Sequence, residues 1–598
     1  MRWCGLAFYW NRLRLLFLLI AIAVMLNLIV YAPLAPVALA QVPQEAQSEI
    51  LEKSLRQSLP QEFPSDPKAP EVTNKTKPTS KFPVKGPTFF LKKIKLRGNA
   101  AISDESLMPI IDLGEGRDFN LSKLNDMAKE ISAFYASEGY LLARAFIPKQ
   151  EIKNETAIIT IYEGRINKVF VQGHKKLNSK SIRKRMRRVQ NKLAIKEETL
   201  ERVLLELNEM MGVEVTTVLK PGELPGTSDL VLDVTESKPY TFSFDSDNFG
   251  SRYTGPDRYG LSMTYANIFT LGDQFATRWA RSEFGYETLW NSSDFGQNSF
   301  SSFYTFPLNI YGTRMKLNHT FLENELGDSL KYLSAGGTVT TYGLELSQLL
   351  QKSRTSSFSV RTRLDVKHFE NQAQGTNTSK DNLMNVSLGF LGNISDSFLG
   401  RTFYDLNVEK GFRERDASRD LVSRKGGRGD ILTTHLRLTR LQSAKILDSY
   451  FTLKLQGQYN FHRALSSYLF GIGGMGSVRG YPLASFQGDH GYTASLEYTV
   501  PFPWDVPSGQ DSIPDLSKIL SFTSFIERGQ TYVRAKKPGE IDQHLTSAGG
   551  GVKLTIPTIE GKRPGFRFAA TYAVPVFKSI APADRSYGTI YLNGTIEY

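Results

Sequence analysis

Cysteine is almost absent from this chain of 598 residues, in which Cys4 is the only one. Cys4 precedes the apolar part of the N-terminus, a position that does not fit the lipid-attachment cysteine of a lipoprotein. Removal of an N-terminal leader would leave a mature chain without any thiol. Disulfides and thiolate metal sites are then excluded, and the composition suits export through an oxidising periplasm.

Long apolar runs are also scarce. The first follows three arginines, extends over residues 15–30 and leads to the small-residue sequence Ala38-Leu39-Ala40. This pattern predicts a signal peptide over residues 1–40, although the length of the apolar stretch also allows a retained membrane anchor. No second apolar run of about 18 residues follows, so we expect no transmembrane helix in the mature chain.

Residue patterns for catalysis or cofactor binding are missing as well. The seven histidines show no zinc-type spacing, and no G-x-S-x-G nucleophile elbow occurs. A literal G-x-G-x-x-G occupies residues 471–476, but the sequence that follows it, from Ser477 to Pro482, is unsuited to begin the helix that a dinucleotide site requires. We therefore expect no enzyme, no cofactor and no bound metal.

The charge balance is basic, with a formal net charge of +13 that falls to +10 when the three arginines of residues 1–40 are removed. A basic chain can indicate nucleic-acid binding. For an exported chain, scattered basic loops and a basic lumen explain the charge better, so we expect no nucleic acid. The mean hydropathy of −0.28 resembles that of a soluble protein. A membrane barrel gives the same value, because half of each strand is polar.

Alternation of apolar and polar residues dominates residues 239–598. From Phe451 to Phe461, every second residue is apolar or glycine, and Lys, Gln, Thr and Asn stand between them. The last residues, from Ile590 to the terminal Tyr598, repeat the pattern. Side chains alternate across a strand, so one face is apolar and the other polar. The pattern predicts a transmembrane antiparallel β-barrel in an outer membrane, with Tyr598 as its C-terminal signal.

Four segments precede the predicted barrel. An amphipathic helix is predicted within residues 41–59, because apolar residues recur at helical spacing from Ile50 to Leu59. Residues 60–87 carry seven prolines and predict an extended, mobile linker. Residues 88–164 and 165–238 each follow the order strand, helix, helix, strand, strand, which predicts two small α+β domains.

These modules and their order resemble a known family. The modules close on Ile161-Tyr162-Glu163-Gly164 and on Val234-Thr235-Glu236, which resemble the ends of POTRA domains. An amphipathic helix, a linker, two POTRA domains and a barrel resemble the TpsB transporters of two-partner secretion, the ShlB/FhaC/HecB haemolysin secretion/activation proteins. These belong to a superfamily with BamA and Toc75.

The resemblance implies sixteen barrel strands and POTRA domains in the periplasm. It implies that the POTRA domains bind a large secreted exoprotein, which then crosses the barrel in an extended form. It also implies that the helix of residues 41–59 plugs the resting pore. Outer-membrane lipid and the barrel-assembly machinery would be further partners.

The most informative motif is Val478-Arg479-Gly480-Tyr481, which resembles the VRGY/F motif of a loop that folds back into the barrel. Its partner in the family is an acidic residue in an F-x-D-x-G strand. The matching stretch here contains Phe525, Glu527 and Gly529, with glutamate in place of aspartate. An Arg479–Glu527 pair is therefore predicted. The alternatives are an incidental surface RGY and a strand end at which Arg528 pairs locally.

A second cluster of charge lies in the second module. Between Ser181 and Arg188 the sequence packs five cations: Arg183, Lys184, Arg185, Arg187 and Arg188. Apolar residues recur at helical spacing between them, so one interpretation is a helix with a solvated basic face. The other is a contact surface for an acidic client segment or for anionic membrane headgroups.

Two other functions compete with secretion. A BamA/Toc75-like assembly or import pore shares the VRGY motif and POTRA domains but usually has three or more POTRA copies. A passive porin would leave the two folded modules unexplained.

Overall fold

The computed structural model describes residues 72–74, 88–112, 115–152, 154–190, 192–283, 296–413, 421–504, 515–559, 563–576 and 587–598. The predicted signal peptide (1–40) and amphipathic helix (41–59) lie outside these residues, as does most of the predicted linker.

One piece of the linker is described, and it is a strand. This strand, β1, covers Val72–Asn74. It pairs in parallel with residues 217–219 of the second module. The predicted linker is extended at these residues, where its backbone pairs with the edge of a sheet.

The first module packs two helices against a small sheet. Its strands are β2 (Phe89–Leu91), β3 (Lys93–Arg97), β4 (Arg117–Phe119), β5 (Arg144–Phe146) and β6 (Thr156–Tyr162), and its helices are α1 (Asp104–Ile111) and α2 (Leu121–Ser137). Strand β6 lies between β3, which is parallel to it, and β5, which is antiparallel. The Asn120 side chain caps α2 by accepting a hydrogen bond from the backbone N–H of Lys123 at 2.8 Å. Both predicted helices are confirmed; the short strand β4 between them was not predicted.

The second module repeats this arrangement. Its elements are β7 (Arg165–Gln172), α3 (Ser179–Gln190), α4 (Glu197–Asn208), β8 (Val213–Pro221) and β9 (Thr227–Glu236). The sheet order is β1-β8-β9-β7. Ile182 and Met186 from α3 and Leu204 from α4 are completely buried against Val215 and Leu232 of the sheet. The apolar spacing of both helices therefore forms the core of the module.

The C-terminal part is a closed antiparallel barrel of sixteen strands, as the family resemblance implied. These strands are β10 (Tyr240–Asp247), β11 (Asp257–Ala266), β12 (Gln274–Glu283), β13 (Gly296–Pro307), β14 (Thr313–Glu325), β15 (Ala335–Lys352), β16 (Ser356–Ala373), β17 (Thr376–Ser395), β18 (Gly400–Arg413), β19 (Leu432–Ser443), β20 (Tyr450–Asn460), β23 (His490–Pro501), β24 (Leu520–Tyr532), β25 (Gln543–Ile556), β26 (Gly565–Pro575) and β27 (Thr589–Glu597). Two short strands, β21 (Phe470–Ile472) and β22 (Phe486–Gly488), pair with each other and are not part of the barrel wall. A short helix, α5 (Leu516–Ile519), precedes β24.

Alternation along the strands follows the predicted faces. On β20, Phe451 is 39% exposed and Leu453 is 38% exposed, whereas Thr452 between them is 5% exposed. The apolar side chains face outward and the polar ones face inward, as in a barrel with hydrocarbon outside and a polar interior. The barrel closes where β10 pairs with β27, from Ser243↔Glu597 to Asp247↔Asn593.

The second module contacts the barrel through the short turns at one barrel end. Lys352 pairs with Glu209 and Arg354 pairs with Glu201, and Arg202 donates to the carbonyl of Leu349 at 2.7 Å. Successive strands run in opposite directions, so connections alternate between the two ends of the barrel. The long connection of residues 461–489, between β20 and β23, therefore lies at the end opposite to these turns. Among the described residues, no helix has the length and apolar character to cross a membrane.

Candidate functional site

The connection of residues 461–489 between β20 and β23, here named the inserted loop, folds into the barrel. Leu465 and Tyr468 of the loop pack with Leu322 and Phe369, inward residues of β14 and β16. Val478, farther along the loop, packs in a separate cluster that includes Leu545 of β25. The loop therefore reaches opposite parts of the inner wall and occupies the lumen.

The predicted pair of Arg479 and Glu527 is formed. Arg479 donates from Nε to Glu527 Oε1 at 2.9 Å and from Nη2 to the same oxygen at 2.5 Å. Its backbone N–H donates to Glu527 Oε2 at 2.7 Å. Arg479 is 6% exposed and Glu527 is 4% exposed. The longer stem of glutamate thus reaches both the side chain and the backbone of Arg479. Arg528 is exposed on the other face of β24 and donates to the Thr546 hydroxyl at 3.5 Å, a local contact that exists beside the Arg479–Glu527 pair and does not replace it.

A second carboxylate, which the sequence reading missed, completes the charge balance. Glu497 on β23 accepts from Arg479 Nη2 at 2.5 Å and also pairs with Lys454 at 3.2 Å. The Phe525 ring lies under the guanidinium, with its centroid 3.4 Å from Arg479 Cζ. Strand alternation carries the signal for Glu497, because it stands between the apolar residues Leu496 and Tyr498.

The other three motif residues fix the loop by backbone shape and packing. Gly480 has φ +85°, which glycine adopts without strain, and its N–H donates to the Tyr591 hydroxyl at 3.0 Å. Tyr481 donates from its hydroxyl to the Thr546 carbonyl at 3.0 Å. Val478 is completely buried, and a Cβ at Gly529 would lie 2.8 Å from its Cγ2. We name the contacts of residues 478–481 with the wall the loop lock.

The loop lock contacts four of the last five strands of the barrel, which follow one another around the wall. Glu497 lies on β23, Glu527 on β24, Thr546 on β25 and Tyr591 on β27. One tetrapeptide therefore holds the inserted loop against most of the C-terminal third of the wall. A pathway for a polypeptide through this lumen requires the loop to change position.

A further set of buried charges holds the loops at the same end of the barrel. Arg424 forms a bidentate pair with Asp489 at 2.8 and 3.1 Å, and Asp489 is completely buried. Arg463 forms a bidentate pair with Glu540 at 2.6 and 2.7 Å. The Arg463 hydrogen bonds lower the pKa of Glu540 to about 2. These four residues, the outer ion cluster, join three connections and were not predicted.

The five cations of α3 have different surroundings, and two of them contact the barrel. Arg185 is buried and donates to the Leu271 carbonyl of a barrel turn at 2.6 Å. Burial lowers the pKa of its guanidinium to about 10, and the charge of Glu206 opposes that shift. Arg188 pairs with Glu206 at 2.5 Å and donates to the Ile310 carbonyl at 2.9 Å. These two arginines therefore connect the module to the barrel.

The other three cations of α3, Arg183, Lys184 and Arg187, are exposed. A contact with a client or with headgroups stays a prediction for these three, while Arg185 and Arg188 face the barrel turns.

The C-terminal residue lies at the barrel seam. The Tyr598 backbone N–H donates to the Phe242 carbonyl at 2.8 Å, and the Lys238 ammonium lies 3.9 Å from the centroid of the Tyr598 ring. The chain end is therefore held beside the first barrel strand. Within the described ranges, no group of three or more His, Cys, Asp or Glu side chains is placed to hold a metal ion.

Comparison with known families yields two matches. The sequence model described as haemolysin secretion/activation protein ShlB/FhaC/HecB matches residues 226–553. The one described as POTRA domain, ShlB-type, matches residues 89–164.

Individual proteins are similar over most of the chain. The heme/hemopexin transporter protein HuxB of Haemophilus influenzae (strain ATCC 51907 / DSM 11121 / KW20 / Rd) is 25% identical over 69% of this chain and 72% of its own length. The outer membrane transporter CdiB of Dickeya dadantii is 24% identical over 75% of this chain and 78% of its own length. Among solved structures, CdiB from Escherichia coli superimposes with a TM-score of 0.74 at 16% identity, covering 94% of this chain and all of that one. CdiB from Acinetobacter baumannii gives a TM-score of 0.66 at 17% identity, with the same coverage.

Proposed function

The chain belongs to the haemolysin secretion/activation family ShlB/FhaC/HecB, whose sequence model matches more than half of it, and on this premise we propose that it exports one large exoprotein made for it. It is an outer-membrane transporter of two-partner secretion, with a barrel in the membrane and POTRA modules in the periplasm. Its partner is an exoprotein. The relatives are named for heme/hemopexin and hemolysin transport, so the client differs within the family.

The observation that carries the proposal is the separation of a recognition unit from a pore that is closed by a movable loop. The sheet of the second module ends in strand edges, which offer backbone hydrogen bonds to an extended client by β-augmentation. The barrel lumen is occupied by a loop held through the loop lock rather than by a covalent crosslink. A client that binds the modules and then displaces the loop has a continuous route outward.

The competing functions fit less well. A passive porin has no use for two folded modules, one of which is docked on the turns of its barrel. A BamA/Toc75-like pore shares the loop motif, but two modules and a predicted plug helix argue for secretion.

We assign residues 1–40 to a signal peptide, 41–59 to a plug helix, 60–87 to a linker, 88–164 and 165–238 to the two POTRA domains, and 239–598 to the barrel. At rest the plug helix occupies the lumen, and the linker lets it leave.

Three further contacts belong to the proposal. Outer-membrane lipid surrounds the outward apolar side chains, and the barrel-assembly machinery recognises the strand that ends at Tyr598. The exposed cations of α3, Arg183, Lys184 and Arg187, attract an acidic client segment or anionic headgroups.

Deletion of residues 165–236 tests the proposal. This segment contains the second module from β7 to β9. Export of the exoprotein should be abolished while the barrel still inserts and keeps its heat-modifiable mobility on gels, because recognition and pore are separate units. The control is Glu130→Gln on the exposed face of α2, outside the deleted segment, which should still export. Export by the deletion variant would show that the modules are not the docking site and would favour the porin.

A further inference from the structure

A groove lies on the outer face of the barrel, beside the seam at which β10 pairs with β27. Its volume is about 460 Å³. Sites for small molecules usually measure about 300–1,000 Å³, so the groove has the size of a ligand site. The side chains that line it are mainly apolar and include Phe242, Phe244, Leu261, Met263, Trp279 and Ile596. The lumen lies on the other side of the wall, so this groove is separate from the pathway proposed for the exoprotein.

The pairing of the strands explains why the surface is lower at this place. A row of large apolar side chains crosses five strands, each residue paired with the next: Ile596, Phe244, Leu261, Trp279 and Phe300. One row nearer the turns that contact the second module, Met263 pairs with Thr277. Thr277 lies on the same face of β12 as Trp279 and is much shorter. A depression therefore forms beside the row of large side chains.

A third row places the groove within the membrane. Nearer still to the turns that contact the second module, four aromatic residues pair across β10 to β13: Tyr240, Tyr265, Phe275 and Tyr304. The rings of the first two stack with centroids 6.2 Å apart. Aromatic rows of this kind mark the boundary between hydrocarbon and headgroups on a membrane barrel. The groove therefore lies in the hydrocarbon of the leaflet on the module side, which is the periplasmic leaflet.

A cation adjoins the groove at the headgroup level. Lys238 stands in the connection between β9, which ends at Glu236, and β10, which begins at Tyr240. The Lys238 ammonium lies 3.9 Å from the centroid of the Tyr598 ring, which lines the groove, and 5.8 Å from that of Tyr240. Basic side chains at a membrane interface place their charge among lipid phosphates. An apolar groove and a phosphate-binding cation are thus in contact through Tyr598.

We propose that the groove binds one acyl chain of a phospholipid of the periplasmic leaflet and that Lys238 binds the phosphate of the same lipid. A hydrocarbon chain is the occupant because the groove is apolar and opens on a face that the membrane surrounds. Apolar character alone gives no preference for this position, because lipid tails are as apolar as the side chains. The preference comes from the shape of the depression and from the charge of Lys238. The bound lipid contacts both strands of the seam, β10 through Phe244 and β27 through Ile596.

Fluorescence of Trp279 tests the site, because Trp279 lines the groove and bromine atoms quench tryptophan on contact. Trp290→Phe and Trp504→Phe leave Trp279 as the only tryptophan after residue 40. The full-length transporter in non-ionic detergent micelles is titrated with a phosphatidylcholine that carries a dibrominated acyl chain. The control reporter adds Trp279→Phe and Leu455→Trp. Trp279 and Leu455 are each the sixth residue of an outward-facing strand that begins at the module side, but Leu455 lies away from the seam.

The Trp279 reporter should reach half of its quenching at a lipid concentration at least about tenfold lower than the Leu455→Trp reporter, which corresponds to about 1.4 kcal/mol. Thr277→Phe fills the depression and should remove this difference. Ser524→Phe is the matched control, because Ser524 lies on the outward face of β24 between Phe522 and Ile526, and it should leave the Trp279 titration unchanged. Heat-modifiable mobility shows that each variant is folded.

Lys238→Gln tests the phosphate contact separately. It should raise the half-quenching concentration of the brominated phosphatidylcholine at least about threefold, or about 0.7 kcal/mol. The titration with a dibrominated diacylglycerol, which has no phosphate, should not change. Equal half-quenching concentrations for the two reporters, or a Trp279 titration that Thr277→Phe leaves unchanged, would overturn the groove as a lipid site. An unchanged phosphatidylcholine titration in Lys238→Gln would overturn the assignment of Lys238 to the phosphate.

Discussion

Removal of the Arg479 side chain should release the inserted loop without unfolding the barrel. In Arg479→Ala, Glu527 loses two hydrogen bonds to the guanidinium and Glu497 loses one. Glu527 keeps the backbone N–H of residue 479 at 2.7 Å and the Ser495 hydroxyl at 3.1 Å. The Glu527 carboxylate therefore still accepts hydrogen bonds from the protein after its ion-pair partner is removed.

The size of the effect follows from these remaining contacts. Breaking a buried ion pair by removing one partner costs about 3–5 kcal/mol when the other charge is left without compensation. Because Glu527 retains these donors and the Ser547 hydroxyl, and Glu497 retains Lys454, we expect a cost of about 2–3 kcal/mol, within the range of about 1.5–3 kcal/mol for hydrogen bonds to charged groups. At about 1.4 kcal/mol for each factor of ten, the released population of the loop rises roughly 30- to 140-fold.

Hydrogen exchange and limited proteolysis measure this release. Peptides of residues 474–483 should lose protection in Arg479→Ala, and protease should cleave the inserted loop faster, while the heat-modifiable mobility of the barrel is unchanged. Arg528→Ala is the matched control, since Arg528 is one residue from Glu527 on the exposed face of β24. Native protection in Arg479→Ala would refute the assignment of Arg479 as the anchor. Export should fall, because a loop without its anchor no longer adopts defined closed and open positions.

The single and double variants of Arg479 and Glu527 should differ little in how far they release the inserted loop. Glu527→Ala leaves Arg479 paired with Glu497. The inserted loop should therefore lose as much protection as in Arg479→Ala, or slightly less. The double variant Arg479→Ala/Glu527→Ala should be little worse than either single variant, because both changes break the same contact. Fully additive losses would show that Arg479 and Glu527 act separately.

Deletion of residues 45–59 should raise single-channel conductance in planar bilayers and leave the barrel folded; unchanged conductance would remove the plug assignment. Gly480→Ala places a side chain at φ +85°, so about 1 kcal/mol or more of strain should give faster loop proteolysis than in the parent but slower than in Arg479→Ala. The pKa of Glu540 is lowered from 4.5 to about 2 by its hydrogen bonds with Arg463, so the stabilisation is complete above pH 4.5 and is lost as the pH falls through about 2. Hydrogen exchange of residues 533–542, corrected for intrinsic rates, should therefore increase over that interval, and Glu540→Gln should remove the dependence.

The sequence predicted those parts of the fold that depend on short-range periodicity. Alternation at Phe451 and Thr452 identified the outward and inward faces of β20, since a strand surrounded by hydrocarbon tolerates no other pattern. Helices α1 to α4 followed from apolar spacing that forms their buried faces. The number of strands came from the family resemblance and not from alternation, because the turns carry no uniform signal.

The candidate site was predicted where a motif joins two distant segments. The pairing of Arg479 with Glu527 was available from motif identity, although glutamate stands at the aspartate position. Glu497 stands between two apolar residues in an alternating stretch, but no motif connected it to Arg479. The outer ion cluster was missed because Arg424 and Asp489 meet only when two long connections fold over the same barrel end. Strand β1 was missed because a proline-rich composition usually leaves a chain unpaired, whereas here the free edge of β8 supplies its partner.

The closed state is held by contacts that a polypeptide client can replace. No nucleotide is available in the periplasm, so opening must be driven by the difference in the client's affinity for the open and closed states. A shift from 1% to 99% open requires about 5.5 kcal/mol of such a difference. The loop lock alone, at about 2–3 kcal/mol for its arginine contacts, can be overcome within that range. On the proposed docking, pairing with a sheet edge contributes backbone hydrogen bonds that are each worth about 0.5–1.5 kcal/mol before the ordering of the client is subtracted. Backbone pairing is therefore too weak to open the pore by itself. On the proposed docking at a sheet edge, the remaining free energy comes from side-chain contacts of the client, and these contacts supply the selectivity for one exoprotein.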